Sequence, residues 1–216
     1  HSPDEIAWHT KAIARISEDK LPLILIREMT DRGASEIFIY MQDNDNIFSR
    51  AVKSLGQLNL NILDARVITS SNGYTLDTFI VLEENGEAIS GKNRKNQIII
   101  KLKEHLSAFD KSISTAKRFN SRILKHFPIK TQVIFSQDEE NNRTIMEVIA
   151  SDRPGFLAAI GTALEKSKTR ILGAKIATYG ERIEDIFFIH DKENNMINDE
   201  AHFKLLKNEI FNALEK

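Results

Sequence analysis

The tetrapeptide Asp152-Arg153-Pro154-Gly155 combines residue types that could bind a small zwitterion. It lies between an alternating apolar run and a helical apolar pattern, and proline fits the first turn of a helix. The free N–H groups of a helix start can hold a carboxylate, and Gly155 lets a ligand approach the backbone closely. Asp152 offers an acceptor for an ammonium group. The pattern indicates a site for a free α-amino acid, and plain N-capping by Asp152 is the alternative interpretation.

The tetrapeptide belongs to one of two copies of a repeated unit. A shift of 109 residues superimposes identical residues of the two copies: Asp43 on Asp152, Leu55 on Leu164, Ile62 on Ile171, Ala65 on Ala174 and Thr69 on Thr178. After a turn that is one residue shorter in the second copy, a shift of 108 places Asp77 on Asp185 and Phe79 on Phe187. Because these identities are collinear and fall within matching periodicities, they indicate a structural repeat.

Each copy has the same predicted order of elements: a strand, a turn with Asp, an amphipathic helix, a hairpin of two strands and a second amphipathic helix. The second helices are expected over residues 94–109 and 199–214. A closing strand remains to be placed, and the apolar runs over residues 21–29 and 129–136 can supply it. We therefore predict an α+β fold of two ferredoxin-like βαββαβ domains in tandem, whose antiparallel sheets carry helices on one face.

This pattern also predicts the domain boundaries. Residues 1–20 are expected to be the helical tail of a preceding domain, residues 21–109 the first domain and residues 128–216 the second. Residues 110–127 form a polar and basic linker, which could be a docking strip for an acidic partner or for nucleic acid, or an ordinary solvated surface.

The composition excludes several kinds of function. The chain has 216 residues, no cysteine and a net charge of −1, which excludes disulfides and thiolate chemistry and suits a reducing cytoplasm. The near-neutral charge gives no reason to expect nucleic acid or an anionic membrane as a partner, and no apolar run is long enough to span a membrane. We find no motif for catalysis or for a metal, and the isolated pair His190-Asp191 is expected to lie on the surface.

Both copies resemble ACT domains, which are small-molecule sensors attached to metabolic enzymes. The resemblance covers about residues 35–90 and 144–214 and depends on the strand, the Asp-Arg-Pro-Gly loop and the helix within the repeat. Three segments are similar, more specifically, to the bifunctional uridylyltransferase/uridylyl-removing enzymes that act on the nitrogen regulatory protein PII: residues 5–13 (EIAWHTKAI), 74–82 (YTLDTFIVL) and 177–187 (ATYGERIEDIF).

This resemblance implies allosteric regulation in nitrogen metabolism. In that family a nucleotidyltransferase domain adds UMP to PII, an HD hydrolase domain removes it, and the ACT pair senses glutamine. The chain would be the sensor alone, with L-glutamine as its ligand and with PII and the parent's catalytic domains as partners. No cofactor is expected for this chain, because the magnesium of the parent family would belong to its catalytic domains.

The resemblance also implies the site, because related ACT modules bind the ligand between the loop of one unit and the segment after the first helix of the other. The intact site would combine Asp152, Arg153, Pro154, Gly155, Phe156 and Leu157 with Asn61, Ile62 and Ala65. A degraded site, without the Pro and the Gly, would combine Asp43, Asn44, Asn46 and Ile47 with Arg170 and Ile171. We expect one strong site per chain, in which the Asn61 amide reads the side-chain carboxamide. Whether the copies pair within one chain or between the chains of a homodimer stays open.

Two other functions compete with amino-acid sensing. RNA-recognition domains share the βαββαβ topology, but they need a basic and aromatic signature on the third strand, where this chain has Asp77 and Glu184-Asp185. We therefore expect no nucleic-acid binding. The second alternative is a protein-interaction module that docks on PII or on the parent's catalytic domains without a small ligand.

Overall fold

The computed structural model describes residues 3–28, 30, 33–44, 47–70, 72–107, 129–153, 155–179 and 181–214. The predicted linker over residues 110–127 lies outside the described residues, as do two of the predicted site residues, Asn46 and Pro154.

Both copies have the predicted order of elements. The first contains helix α1 (Pro3–Ile13), a single 3-10 turn (Glu18–Lys20), and then β1 (Leu23–Arg27), β2 (Ser35–Gln42), α2 (Ile47–Gln57), β3 (Leu60–Thr69), β4 (Tyr74–Glu83) and α3 (Lys92–Ser107). The second contains β5 (Gln132–Asp138), β6 (Arg143–Ser151), α4 (Phe156–Lys166), β7 (Arg170–Lys175), β8 (Thr178–Tyr179), β9 (Arg182–His190) and α5 (Glu200–Leu214). The strands are rich in Ile, Val and Phe, which favour extended backbone.

The described strands form one continuous antiparallel sheet across both copies. Its order is β1-β2-β4-β3-β7-β9-β6-β5, with the short β8 paired to β9. Strands β3 and β7 join the two copies, so the copies pair side by side within one chain. The α+β fold with an antiparallel sheet is confirmed.

The strand that remained to be placed precedes each repeated unit. Strand β1 pairs with β2, and β5 pairs with β6. Each copy therefore runs ββαββα along the chain, and its first strand lies at the sheet edge where a closing strand after the second helix would otherwise pair. Both apolar runs predicted for this strand contribute one. Residues 21–29 contain β1 and residues 129–136 contain the start of β5, and these two strands form the two edges of the sheet.

Helices α2 to α5 cover one face of the sheet and bury the core. Ile37, Ile39 and Phe187 point to this face and belong to the same buried cluster as the helix residues Leu55 and Leu206. Helices α2 and α4, one from each copy, pack closely. Gly161 permits this approach, since a Cβ added there would lie only 3.1 Å from Ser49 Cα.

Helix α1 lies on the opposite face of the sheet, over the first copy. Phe38 alternates with the core residues of β2 and is nevertheless fully buried, because the His9 ring stacks on it at 3.8 Å. At the sheet edge, Arg27 Nη1 donates to Asp4 Oδ2 at 2.8 Å. The prediction of helices on one face therefore holds for α2 to α5, whereas α1 packs on the other face.

None of the helices in the described ranges has the length and apolar character needed to cross a membrane.

Candidate functional site

The candidate site depends on the junction between β3 and β7. Ala65 pairs with Ala174, flanked by the pairs Asp64–Lys175 and Arg66–Gly173. The strands approach closely here, since a Cβ added at Gly173 would lie 2.9 Å from Ala65 O. Because β3 and β7 run antiparallel, the start of each strand lies beside the end of the other.

The loop before α4 leaves the start of the helix without a side-chain cap. The N-cap residue is Gly155, with φ 81° and ψ 9°, and no side chain of the described residues caps the first turn. Asp152 is exposed, and its N–H donates to Glu181 O at 2.8 Å. Among the described residues the Asp152 side chain makes no hydrogen bond to the helix start, so its carboxylate can accept one from a ligand.

Backbone hydrogen bonds join this loop region to the first copy. Ile176 N donates to Leu63 O at 3.1 Å, so the end of β7 is held against the start of β3. The next residue, Ala177, donates to the Asp185 carboxylate at 3.0 Å. Burial and, to a smaller extent, the negative charge of Asp152 raise the pKa of Asp185. The segment after β7 is thus bound both to Leu63, within the predicted segment of copy one, and to the buried Asp185.

Asp185 and its repeat partner Asp77 are two buried carboxylic acids that sequence reasoning did not assign to the site. Both are fully buried on the helix-covered face of the sheet, where burial raises the pKa of each to about 7. Asp185 Oδ1 accepts from Ala177, Asp77 Oδ1 accepts from the Thr75 hydroxyl, and the Oδ2 atom of each is buried without a hydrogen-bond partner in the described part of the chain. The signal in the sequence was an Asp at the same position of both copies, inside an apolar strand.

Arg153 presents a second group without a partner at the loop. Its side chain is partly buried, and its Nη2 atom is buried with no hydrogen-bond acceptor among the residues that the structure describes. Burial lowers the pKa of the guanidinium from its usual range. Phe156 is buried beneath the loop and Leu157 is half-buried, so both pack the helix start.

Asn61 lies at the start of β3 but is turned away from the helices. It alternates with the core residues Leu60 and Ile62, and its Nδ2 is 3.5 Å from Glu83 O. No hydrogen bond joins the Asn61 amide to the loop before α4 among the described residues. Ile62 and Ala65 are buried in the core, so they contribute shape and backbone groups to the junction.

The junction predicted to be degraded has its loop carboxylate already engaged. Asp43 Oδ2 accepts from Thr69 Oγ1 at 3.4 Å, and Asp43 N donates to Gly73 O. Asn44 and Arg170 are exposed, Ile47 is buried, and Ile171 is half-buried opposite Ile189. The Asp152 side chain, by contrast, has no hydrogen bond within the described ranges.

A shallow cavity of about 520 Å³ lies at the start of α3 and not at the loop before α4. Its lining includes Asn59, Glu83 and Arg94, and the Arg94 guanidinium is already held by Glu83 and by Leu58 O. Across the described residues, no group of three or more His, Asp or Glu side chains is arranged to hold a metal ion.

Comparison with known proteins identifies close relatives. The chain is 43% identical over 199 residues to the bifunctional uridylyltransferase/uridylyl-removing enzyme of Methylococcus capsulatus, and the match covers 92% of this chain and 23% of that enzyme. The enzyme of the same description from Pseudomonas fluorescens is 43% identical over 219 residues, covering 99% of this chain and 24% of the relative. This chain thus spans about a quarter of the length of these relatives. No protein-family model matches the chain.

Solved structures are more distant. Aspartate kinase from Synechocystis is 16% identical, with a TM-score of 0.44 over 85% of this chain and 27% of that chain. The regulatory subunit of aspartate kinase from Thermus thermophilus is 11% identical, with a TM-score of 0.26 over 86% of this chain and 95% of that chain. The sequence relatives, at 43% identity across almost the whole chain, carry the assignment. Over almost its whole length, this chain is therefore homologous to a region that makes up about a quarter of the bifunctional uridylyltransferase/uridylyl-removing enzymes.

Proposed function

We propose that the chain is an amino-acid sensing module, with L-glutamine as its ligand, that sets the balance of uridylylation and deuridylylation of PII by the enzyme to which it belongs. The observation that carries this proposal is the junction of the two copies. At this junction β3 of one copy pairs with β7 of the other. The loop before α4 in the second copy holds Asp152 and Arg153, whose carboxylate and Nη2 atom have no hydrogen-bond partner among the described residues.

The junction offers groups that complement a zwitterion. The Arg153 Nη2 atom can receive an α-carboxylate, because it is a donor without a partner among the described residues. The N–H groups of the first turn of α4 can contribute as well, except that of Phe156, which already donates to Arg153 O at 3.2 Å. Asp152 can accept from the α-ammonium group. The carboxamide would be read by Asn61, whose weak 3.5 Å contact with Glu83 O costs little to exchange.

Binding at a junction between two copies also supports a regulatory role. A ligand held by both copies favours the arrangement in which they are correctly paired, and it can shift an equilibrium only through such differential contacts. Control of PII modification would then follow from transmission of this preference to the catalytic domains of the enzyme.

A thermal-unfolding screen of the amino acids, followed by calorimetry, tests the proposal. L-Glutamine at 100 times its Kd should stabilise the chain by about 2.7 kcal/mol. Glutaramate, which lacks the α-amino group, and D-glutamine are the matched control ligands and should stabilise it much less. If no amino acid at millimolar concentration raises the midpoint, amino-acid sensing is excluded and the protein-interaction alternative replaces it.

A further inference from the structure

The second copy has a sheet face that the described helices leave uncovered. We call it the outer face, and it consists of Ile134 on β5, Ile145, Glu147 and Ile149 on β6, and Ile186 and Phe188 on β9. These residues alternate with core residues such as Val133, Met146 and Phe187, so their side chains point away from α4 and α5. None of the six belongs to the core cluster or packs against it.

We propose that the outer face is a docking site for an amphipathic helix that carries a basic residue within its apolar stripe. The helix would come from the three quarters of the enzyme that lie outside the region matched by this chain. This proposal rests on the family assignment and does not depend on glutamine binding.

Glu147 is the residue that selects a basic partner. Its register neighbours are Ile134 on one side and Ile186 on the other, and Ile145 and Ile149 flank it along β6. The side chain is half-buried, and it has no hydrogen bond or ion pair within the described ranges. A carboxylate that is partly withdrawn from water among four isoleucines loses hydration that only a cation or a donor can replace.

A carboxylate close by on the same face is already neutralised. Glu184 lies on β9, and its Oε1 accepts from Arg182 Nε at 2.5 Å. Glu147 is therefore the carboxylate on the outer face that has no partner in the described part of the chain.

The first copy shows what kind of element covers such a face. There helix α1 places His9 Nε2 2.9 Å from Glu36 Oε1, and the same His9 ring stacks on Phe38. Both Glu36 and Phe38 are fully buried by this contact. A shift of 109 residues places Phe38 on Glu147 and Glu36 on Ile145. The acid of the second copy therefore lies on the same face of the strand as that of the first, but two residues further along. A helix with a basic residue among apolar ones is therefore the occupant that the fold already accepts.

The occupant is not α1 of the same chain, because α1 is held on the first copy by His9, Asp4 and Glu5. The outer face is open mainly at its β5 side: Ile134 is 47% exposed, whereas Ile149 is buried. Phe188 is half-buried, and the Arg143 guanidinium lies 3.9 Å from its ring centroid.

Thiol labelling tests the proposal in the full-length enzyme and in this chain alone. The chain has no native cysteine, so Ser136→Cys, which adds a thiol on the same face two residues beyond Ile134, reports on coverage. Glu140→Cys, in the exposed turn between β5 and β6, is the matched control. Peptide-resolved mass spectrometry separates these positions from cysteines elsewhere in the enzyme.

Labelling of the Ser136→Cys variant should be at least tenfold slower in the full-length enzyme than in the chain alone, whereas labelling of Glu140→Cys should be equal in both. Adding Glu147→Lys should restore fast labelling of the Ser136→Cys variant, and Glu147→Gln should restore it partly while preserving the fold. Equal labelling of Ser136→Cys in both proteins would overturn the docking site. Protection that persists in both Glu147 variants would overturn the basic helix as occupant. If the thiol of Ser136→Cys is already labelled slowly in the chain alone, and this chain self-associates, the occupant of the outer face is a second copy of the chain and not a helix of the enzyme.

Discussion

Ala65 and Ala174 lie directly opposite each other at the centre of the β3–β7 pairing, and they are separated by the same 109 residues that superimpose the two copies. The same shift places Asp64 on Gly173 and Arg66 on Lys175, so it converts the pair Asp64–Lys175 into the pair Arg66–Gly173. The junction is therefore a pseudo-two-fold axis within one chain. It brings the loop of each copy toward the first hairpin strand of the other, although only the loop before α4 leaves its Asp without a side-chain partner among the described residues.

The close approach at this axis should make Gly173 intolerant of a side chain. Gly173→Ala is expected to lower the free energy of unfolding by about 1–3 kcal/mol, because its Cβ would lie 2.9 Å from Ala65 O and the backbones would have to separate. Urea unfolding measures this loss. Gly56→Ala in α2 is the matched control, since no atom lies within 4 Å of its added Cβ, and it should be neutral or stabilising by up to about 1 kcal/mol. Equal stability of both variants would contradict the close junction.

The two buried acids should make stability depend on pH. The pKa of Asp77 and of Asp185 is about 7 in the folded chain, against an ordinary value of 3.8. The folded chain therefore binds more protons than the unfolded chain between about pH 4 and 7, so the free energy of unfolding falls as the pH rises through this window. The loss is up to about 4 kcal/mol per carboxyl, and it is complete above pH 7.

Asp185→Asn and Asp77→Asn should each flatten this decline and raise the stability at pH 8 relative to the original chain. Urea titrations at pH 5 and pH 8 give the comparison. Asp138→Asn is the control: hydrogen bonds from Asn141 and Arg143 lower the pKa of Asp138, so its removal should leave the slope between pH 4 and 7 unchanged. An unchanged slope in both buried-acid variants would show that these carboxyls titrate normally.

The contact of His9 with Glu36 should hold α1 on the first copy. His9→Ala is expected to cost about 1–3 kcal/mol, because a fully buried carboxylate loses its 2.9 Å partner and keeps only the longer contact with Arg27 Nε at 3.9 Å. Glu36→Gln in the same background should recover part of this loss, since a neutral amide is less costly to bury. Denaturant unfolding of the four members of this double-mutant cycle measures the coupling, and Lys11→Ala on exposed α1 surface serves as control. Additive effects of the two changes would argue against the pair.

The inequality of the two loops should appear in ligand binding. Asp152→Ala is expected to weaken L-glutamine binding at least tenfold, because a hydrogen bond to a charged group contributes about 1.5–3 kcal/mol. Asp43→Ala should leave the affinity unchanged, since the Asp43 carboxylate is already engaged by Thr69. Calorimetry on the original chain should find one strong site. Two equal glutamine sites that both survive Asn61→Ala would refute the composite site.

Local patterns allowed much of this protein to be predicted from its sequence. The repeat, the order of elements and the α+β class depend on apolar periodicity and on turn residues, which act over a few positions and are visible in any short window. The helix predicted over residues 199–214 is observed at Glu200–Leu214 for this reason. The Asp-Arg-Pro-Gly loop was also recognisable, because its residue types have special backbone properties.

The tertiary structure alone decided which edges join and what is buried. Nothing local distinguishes β7 from β9 as the partner of β3, because edge pairing depends on complementarity between segments more than 100 residues apart. Asp77 and Asp185 have the polarity of surface residues, and only packing of the helices above the sheet reveals that both are buried acids. In the same way the residue types of the loop at Asp152 could be read from the sequence, whereas only the tertiary structure set the register of Ala65 with Ala174 that joins the two copies.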